Sequence, residues 1–273
     1  MEKLGRLGWA AGISFRAYGV RGGLRVNKPE FLERVVEYLP PGWKPASSQV
    51  VERLYSIVIG GESSRRNLRR FHLLYANAAQ VGRSTDLDNV LQLFESDLQL
   101  YVAEAAPRRV FVHAGVVGWR GRAILIPGRS FSGKTTLVAE LVRAGATYYS
   151  DEYAVLDQRG RVHPYARRLG IRRDGLEVER RTVELLGGSR GFKPLPVGLV
   201  VVTNYRPGAR WRPRSLSAGQ GALALLDNTV SIQRQPEIVF PVLKQIASEA
   251  PIIRSVRGEA EHVVDSILAT LAD

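Results

Sequence analysis

Ala123-Ile124-Leu125-Ile126-Pro127-Gly128-Arg129-Ser130-Phe131-Ser132-Gly133-Lys134-Thr135-Thr136-Leu137 decides how the rest of the chain is read. From Gly128 to Thr135 it carries G-x-x-x-x-G-K-[ST], a pattern that arises by chance in roughly one chain of this length per hundred. An apolar run of strand length precedes it, and Leu137-Val138 followed by Leu141-Val142 gives helical periodicity after it. Strand, glycine loop and helix in that order make the pattern a phosphate site. The glycines let the backbone curl, so that the N–H groups of Gly128, Arg129, Ser130, Phe131, Ser132 and Gly133 point inward at phosphate oxygens. The helix opening near Gly133 adds the free N–H groups of Lys134, Thr135 and Thr136 and the positive end of its dipole. Lys134 supplies a point charge for the β- and γ-phosphates, and the Thr135 hydroxyl is placed to ligate Mg²⁺.

Outward from this stretch, 273 residues suffice for two modest domains or one large α/β domain. Apolar content of 45% gives ordinary material for a core. The longest apolar stretches are strand-length, so no membrane span is expected, and Met1–Ala11 has no sustained apolar region of the secretory kind. The chain has no cysteine, which excludes disulfides, zinc–thiolate sites and a thiol nucleophile. A cytoplasmic location is the expectation. The net charge of +13 invites a nucleic-acid reading. Arginine is scattered over the whole length, however, and no nucleic-acid-binding motif accompanies it, so nucleic acid is disfavoured as the main partner.

Along the chain, residues 13–26 alternate as a strand pair about a turn at Arg21-Gly22-Gly23, and Pro29 opens a short helix ended by Pro40-Pro41-Gly42. Strands are expected at 50–59 and 71–76. A helix is expected from about Asp86 to Ala106, with Thr85 or Asp86 as N-cap. Residues 1–108 read as a small α+β lobe, and residues 109–273 as the nucleotide domain. There, 110–117 and 122–126 form a hairpin, the loop helix runs to about Ala144, and 146–150 is a strand ending at Asp151-Glu152. Further strands are expected at 153–156, 161–165, 197–203 and 252–256. Helices are expected near Val178–Leu186, after the capping box Ser217-x-x-Gln220, from Pro236, and over 259–271.

A phosphate loop alone does not separate a kinase from an ATPase or a switch; the residues at neighbouring strand ends do. Phosphoryl transfer needs one carboxylate to hold or tune the metal and often another to orient or deprotonate the attacking oxygen. Asp151 and Glu152 can divide those tasks. His113 lies in an apolar strand, where a lone histidine is ordinarily a core residue; it gains meaning only if its ring faces Asp151.

His113-Ala114-Gly115, the hairpin, Gly128–Thr135 and Tyr149-Ser150-Asp151-Glu152 resemble the catalytic domain of the HPr kinase/phosphorylase family, over residues 110–157 and with matching separations. The resemblance implies a P-loop-containing α/β kinase domain with a mixed sheet and a reaction using ATP and Mg²⁺. It implies Asp151 as general base on an acceptor serine, with His113 close to it and Glu152 at the metal where the family has aspartate. Arg167-Arg168-Leu169-Gly170-Ile171 is similar to the family's Arg-Gly-Leu-Gly-Ile signature, which makes Arg167 a substrate candidate. The family's metal-holding glutamate two positions earlier is Tyr165 here, and residues 1–108 do not resemble its usual regulatory domain. The chain thus looks like a divergent, free-standing relative, a group that includes kinases of ribosomally made peptides, lasso-peptide precursors among them.

Three basic loops remain: 187–193, 206–212, which could stack a base or hold an acidic peptide, and 254–259, where Arg257 is the candidate for an anion. The expectation is a Mg-ATP-dependent kinase acting on a hydroxyl, serine foremost, of a peptide or small protein. Lys134 and Asp151 act in transfer with His113 as helper, and homo-oligomers are allowed. The rivals are a nucleotide-binding regulator with little phosphotransfer and, on charge alone, a nucleic-acid-stimulated ATPase.

Overall fold

A computed structural model of the chain describes residues 8–48, 50–60, 71–129, 132–167, 169–173 and 177–271. Two compact units follow one another, Met1–Pro107 and Arg108–Asp273.

In the first unit the strands are β1 (Ala11–Ala17), β2 (Val20–Val26), β3 (Lys44–Pro45), β4 (Arg53–Val58), β5 (His72–Ala76) and β6 (Ala79–Ser84), with helices α1 (Leu32–Val36) and α2 (Leu87–Ala105). The sheet order is β3-β1-β2-β4-β5-β6, antiparallel except for the β2–β4 pair. The β1–β2 hairpin turns at Tyr18-Gly19, both at positive φ, rather than at Arg21-Gly22-Gly23. Gly22 and Gly23 lie inside β2 instead, because the Phe15 ring of the paired strand covers Gly22 and leaves no room for a Cβ. Asp86 is the N-cap of α2, accepting from the Asp88 N–H. The helix lays Val90, Leu91, Phe94, Leu98 and Val102 on the sheet, with the Phe94 ring edge-on to Tyr55 at 5.1 Å.

The second unit contains β7 (Val110–Trp119), β8 (Arg122–Pro127), α3 (Lys134–Arg143), β9 (Thr147–Ser150), β10 (Tyr153–Leu156), β11 (Arg161–His163), β12 (Leu169–Arg173), β13 (Glu177–Arg181), β14 (Leu195–Tyr205) and β15 (Arg214–Ser215). After these come α4 (Ala218–Leu226), α5 (Pro236–Glu249), β16 (Ile252–Arg257) and α6 (Val264–Thr270). The fold is α/β with a mixed sheet of order β11-β10-β7-β8-β14-β16-β15, and β9 pairs with β7 beside β10. β8, β14 and β16 run parallel, and the other pairs antiparallel. One face is covered by α3 and α6 over Ile124, Ile126, Val201 and Ile253, the other by α4 and α5 over Leu125, Val200 and Ile252. Both faces being apolar explains the near-continuous hydrophobic runs in β8 and β14.

The helix expected over Val178–Leu186 is not there. Its first part is β13, paired antiparallel with β12, and only Val183–Leu186 turns, as a short 3₁₀ segment. The residues between the two strands, 174–176, lie outside the described set. The last helix is also shorter than expected, starting at Val264 rather than near Glu259.

Candidate functional site

β7 carries the site's floor. Its Gly115 allows α3 to pack directly on the strand, since a Cβ there would stand 2.5 Å from Val138 Cγ2 and 3.8 Å from Lys134 Cβ. The next strand, β8, ends where the Gly128 N–H donates to the His113 carbonyl at 3.1 Å, so the loop departs from beside the histidine. A Cβ on Gly128 would lie 2.7 Å from Ser132 Oγ, which closes the loop back on its own start. Gly133 takes φ +85°, in the left-handed region natural to glycine, and caps α3. Arg129 is exposed, Ser132 half-buried, and Thr136 exposed on the first turn of α3. Ser130 and Phe131 lie outside the described residues.

The Lys134 ammonium donates to the Arg129 carbonyl at 2.7 Å, so the loop satisfies its own cation. Burial lowers the Lys134 pKa, and Glu152 and Asp151 oppose that.

Asp151 and Glu152 occupy the corner between β9 and β10, both of which pair with β7. The Ser150 hydroxyl accepts from the N–H groups of Glu152 (3.1 Å) and Tyr153 (3.0 Å), and the Ala114 N–H donates to the Glu152 carbonyl at 3.2 Å. These bonds fix the corner over Ala114-Gly115, beside the helix start. There Asp151 Oδ2 accepts from Thr135 Oγ1 at 3.1 Å and Oδ1 from the Tyr148 hydroxyl at 2.8 Å. Tyr148 is fully buried, and its pKa is pushed well up by burial and by Asp151, so it remains a donor. The Arg167 backbone, hydrogen-bonded to the same phenol, and the Arg167 charge work the other way. Arg167 is half-buried there.

The family resemblance implied His113 close to Asp151; no hydrogen bond or ion pair joins the two, and the ring lies on the Glu152 side of the corner. Its Nδ1 lies 3.8 Å from Glu152 Oε1, and its ring lies against Tyr153 at 4.6 Å. The β-register dictates this, because His113 stands directly opposite Tyr153, one residue past Glu152. Burial lowers the His113 pKa, and the Lys134 charge adds to it. The imidazole is therefore held toward its neutral form.

Arg257, expected at an anion, lies under the loop. It is 2% exposed; its Nη2 donates to the Gly133 carbonyl at 2.7 Å and its Nη1 to the Gly258 carbonyl, just past the end of its own strand, at 2.9 Å. Burial lowers its pKa, with Glu259 and Tyr205 opposing. It anchors the start of α3 from β16, and Tyr205 at the end of β14 adds a backbone bond to the Ser132 carbonyl at 3.3 Å.

Sequence reasoning missed Tyr148 as the partner of Asp151 and Arg257 as the loop's anchor. A signal existed for the first: a tyrosine in a buried strand needs a partner for its hydroxyl, and Tyr148 sits three residues before the carboxylate. Tyr165, at the position of the expected glutamate, is buried edge-on between Phe111 and Tyr153.

The donor set suits a hard cation brought in on phosphates. It offers a hydroxyl from Thr135 and carboxylates from Asp151 and Glu152, all oxygen. Among the described residues no group of three His, Cys, Asp or Glu could cage a metal alone, so phosphate oxygens and water would complete the coordination of Mg²⁺. Ser132 Oγ, buried and without a hydrogen-bond partner, faces Gly128 across the loop, consistent with a cradle awaiting an acceptor.

No protein-family model and no curated protein matches the chain. Among solved structures it aligns with the Hpr(Ser) kinase/phosphatase from Coxiella burnetii, at 13% identity and a TM-score of 0.36, over 59% of this chain and 94% of that one.

Proposed function

We propose that the chain is a Mg-ATP-dependent phosphotransferase acting on a hydroxyl, serine foremost, of a peptide or small protein. The observation that carries this reading is the Thr135–Asp151–Tyr148 arrangement at the mouth of the glycine loop. Mg-ATP, when bound, supplies the γ-phosphoryl group and the cation that offsets its charge. The loop amides and Lys134 hold phosphate oxygens, which displace the Arg129 carbonyl from the ammonium. Thr135 and Glu152 hold the cation. Asp151 takes up the proton of the acceptor hydroxyl at a carboxylate oxygen, since its two bonds use only about half of its lone-pair sites. Tyr148 fixes the rotamer of that carboxylate. His113, held toward its neutral form, packs on Tyr153 and hydrogen-bonds the Glu152 backbone, so it steadies the corner that carries both carboxylates.

The test is transfer of label from γ-labelled ATP into serine-containing peptides, with the product located by mass spectrometry. Lys134→Ala is expected to abolish transfer and to weaken ATP binding at least about tenfold, or ~1.4 kcal/mol. Equal labelling by the variant would contradict the proposal.

A second reading, a nucleotide-binding regulator, draws on Tyr165, whose aromatic packing leaves no third carboxylate at the corner. Phosphate release in a single turnover without acceptor separates the two: the kinase retains its phosphate until a hydroxyl is supplied.

A further inference from the structure

The segment between β14 and α4 makes an arginine-rich flap over the sheet's last strand. From Tyr205, beside the phosphate loop, the chain crosses the end of β16, where the Arg206 N–H donates to the Arg257 carbonyl at 2.8 Å. It then returns along the outer edge: the Arg212 N–H donates to Ser255 Oγ at 2.9 Å, Arg214 stands opposite Arg254, and the Leu216 N–H donates to the Ile252 carbonyl at 2.8 Å. Arg206, Arg210, Arg212, Arg214 and Arg254 are all exposed, and among the described residues none is in an ion pair with a carboxylate. Glu259, the acid just beyond β16, is hydrogen-bonded to the Tyr205 hydroxyl at 2.9 Å.

Arg214 and Arg254 form a direct cross-strand pair of like charges, an arrangement that destabilises a sheet unless something offsets it. The outer edge of β15 pairs with no further strand among the described residues.

We infer that this flap is the docking surface for an acidic segment of the acceptor peptide, laid extended along β15, with its carboxylates on the arginines. The inference rests on the phosphotransfer reading for the word acceptor. Charge complementarity selects an acidic chain, and guanidinium groups pair with carboxylates through two parallel bonds. The reach is short, since eight residues separate Arg206 from Arg214 and an extended chain spans them in under about 30 Å. A hydroxyl at one end of such a peptide can therefore meet the loop while its acidic end lies on the flap. A nucleic acid fits the surface less well. Within the arginine segment itself Trp211 packs on the core with its Nε1 donating to Ser266 Oγ at 3.0 Å, and the exposed ring of Tyr205 at its start is tied to Glu259 through its hydroxyl at 2.9 Å.

The test is fluorescence anisotropy with three labelled probes: an oligoglutamate–glycine–serine peptide, its oligoglutamine counterpart and an oligothymidylate. The full chain and the variant Arg214→Glu/Arg254→Glu are compared, and the thermal shift with Mg-ATP reports that each is folded. The glutamate peptide is expected to bind at least about tenfold tighter than the glutamine one and to lose that advantage in the variant. Equal binding of the two peptides, or an advantage that survives in the variant, would overturn the inference. So would oligothymidylate binding more tightly than glutamate and being lost in the same variant, which assigns the surface to nucleic acid. Label transfer from ATP to the two peptides separates the claims. Tight acidic docking without transfer counts against phosphotransfer, and transfer with equal kcat/KM for both peptides counts against docking.

Discussion

Asp151 accepts two hydroxyl hydrogen bonds, one from a residue inside the glycine-loop motif and one from a buried tyrosine three positions upstream. Such a carboxylate is held in one rotamer, and a fixed position is what general-base catalysis asks for. A comparable pair in the first unit allows a test of how buried tyrosines behave in this protein. The Tyr55 hydroxyl donates to Asp97 at 2.6 Å, and Arg53 joins the same carboxylate at 2.7 Å. Burial and then Asp97 push the Tyr55 pKa far above its ordinary value. The unfolded chain releases that proton near pH 10 and the folded chain does not. The contribution of Tyr55 is therefore complete below about pH 10 and is lost as pH rises above it. In urea titrations from pH 8 to 11, Tyr55→Phe is expected to flatten the alkaline fall in stability; an unchanged slope would show that Tyr55 ionises normally. Lys134, Thr135 and Asp151 were legible in the sequence because the motif and its spacing fix them along the chain. Tyr148 and the setting of His113 beside Tyr153 and Glu152 were not, because they depend on strand register, which no local pattern states.

The elements position these residues through three close approaches. Gly115 lets α3 sit on β7, Gly128 ties the end of β8 to β7 at His113, and Arg257 ties β16 to the start of α3. Gly115→Val would place a side chain into Val138, an overpacking that costs about 1–3 kcal/mol. Thermal unfolding should show a lower Tm, and ATP binding should weaken because Lys134 moves with the helix; an unchanged Tm would contradict the close packing. Arg257→Met removes two charge-assisted bonds at about 1.5–3 kcal/mol each and frees Gly133. It should lower Tm and raise the KM for ATP, whereas loss of acceptor binding alone would return Arg257 to a substrate role. At this scale the strand–loop–helix and the capping box at Ser217 were legible from local chemistry. Three expectations failed: the Gly22-Gly23 turn gave way because Phe15 covers Gly22 from the neighbouring strand, the helix at 178–186 gave way to the β12–β13 hairpin, and the last helix starts at Val264.

Over the whole chain, the mixed order of the second sheet brings the ends of β8 and β14 and the β9–β10 corner to one place, the phosphate loop. The order itself could not be read from the sequence, since apolar runs look alike in parallel and antiparallel strands. The net charge of +13 has a local meaning on the flap and the adjoining β16, where five exposed arginines gather without carboxylate partners among the described residues. No helix among the described residues is long and apolar enough to cross a membrane. The reaction proposed for this arrangement requires one carboxylate to take a proton while the nucleotide is already held by other groups. The most direct measurement is single-turnover transfer from labelled ATP to a serine peptide by Asp151→Asn, alongside its ATP affinity. The account predicts ATP affinity within about threefold of the unsubstituted chain and transfer slowed by about 10²–10⁴-fold; transfer at the unsubstituted rate would contradict it.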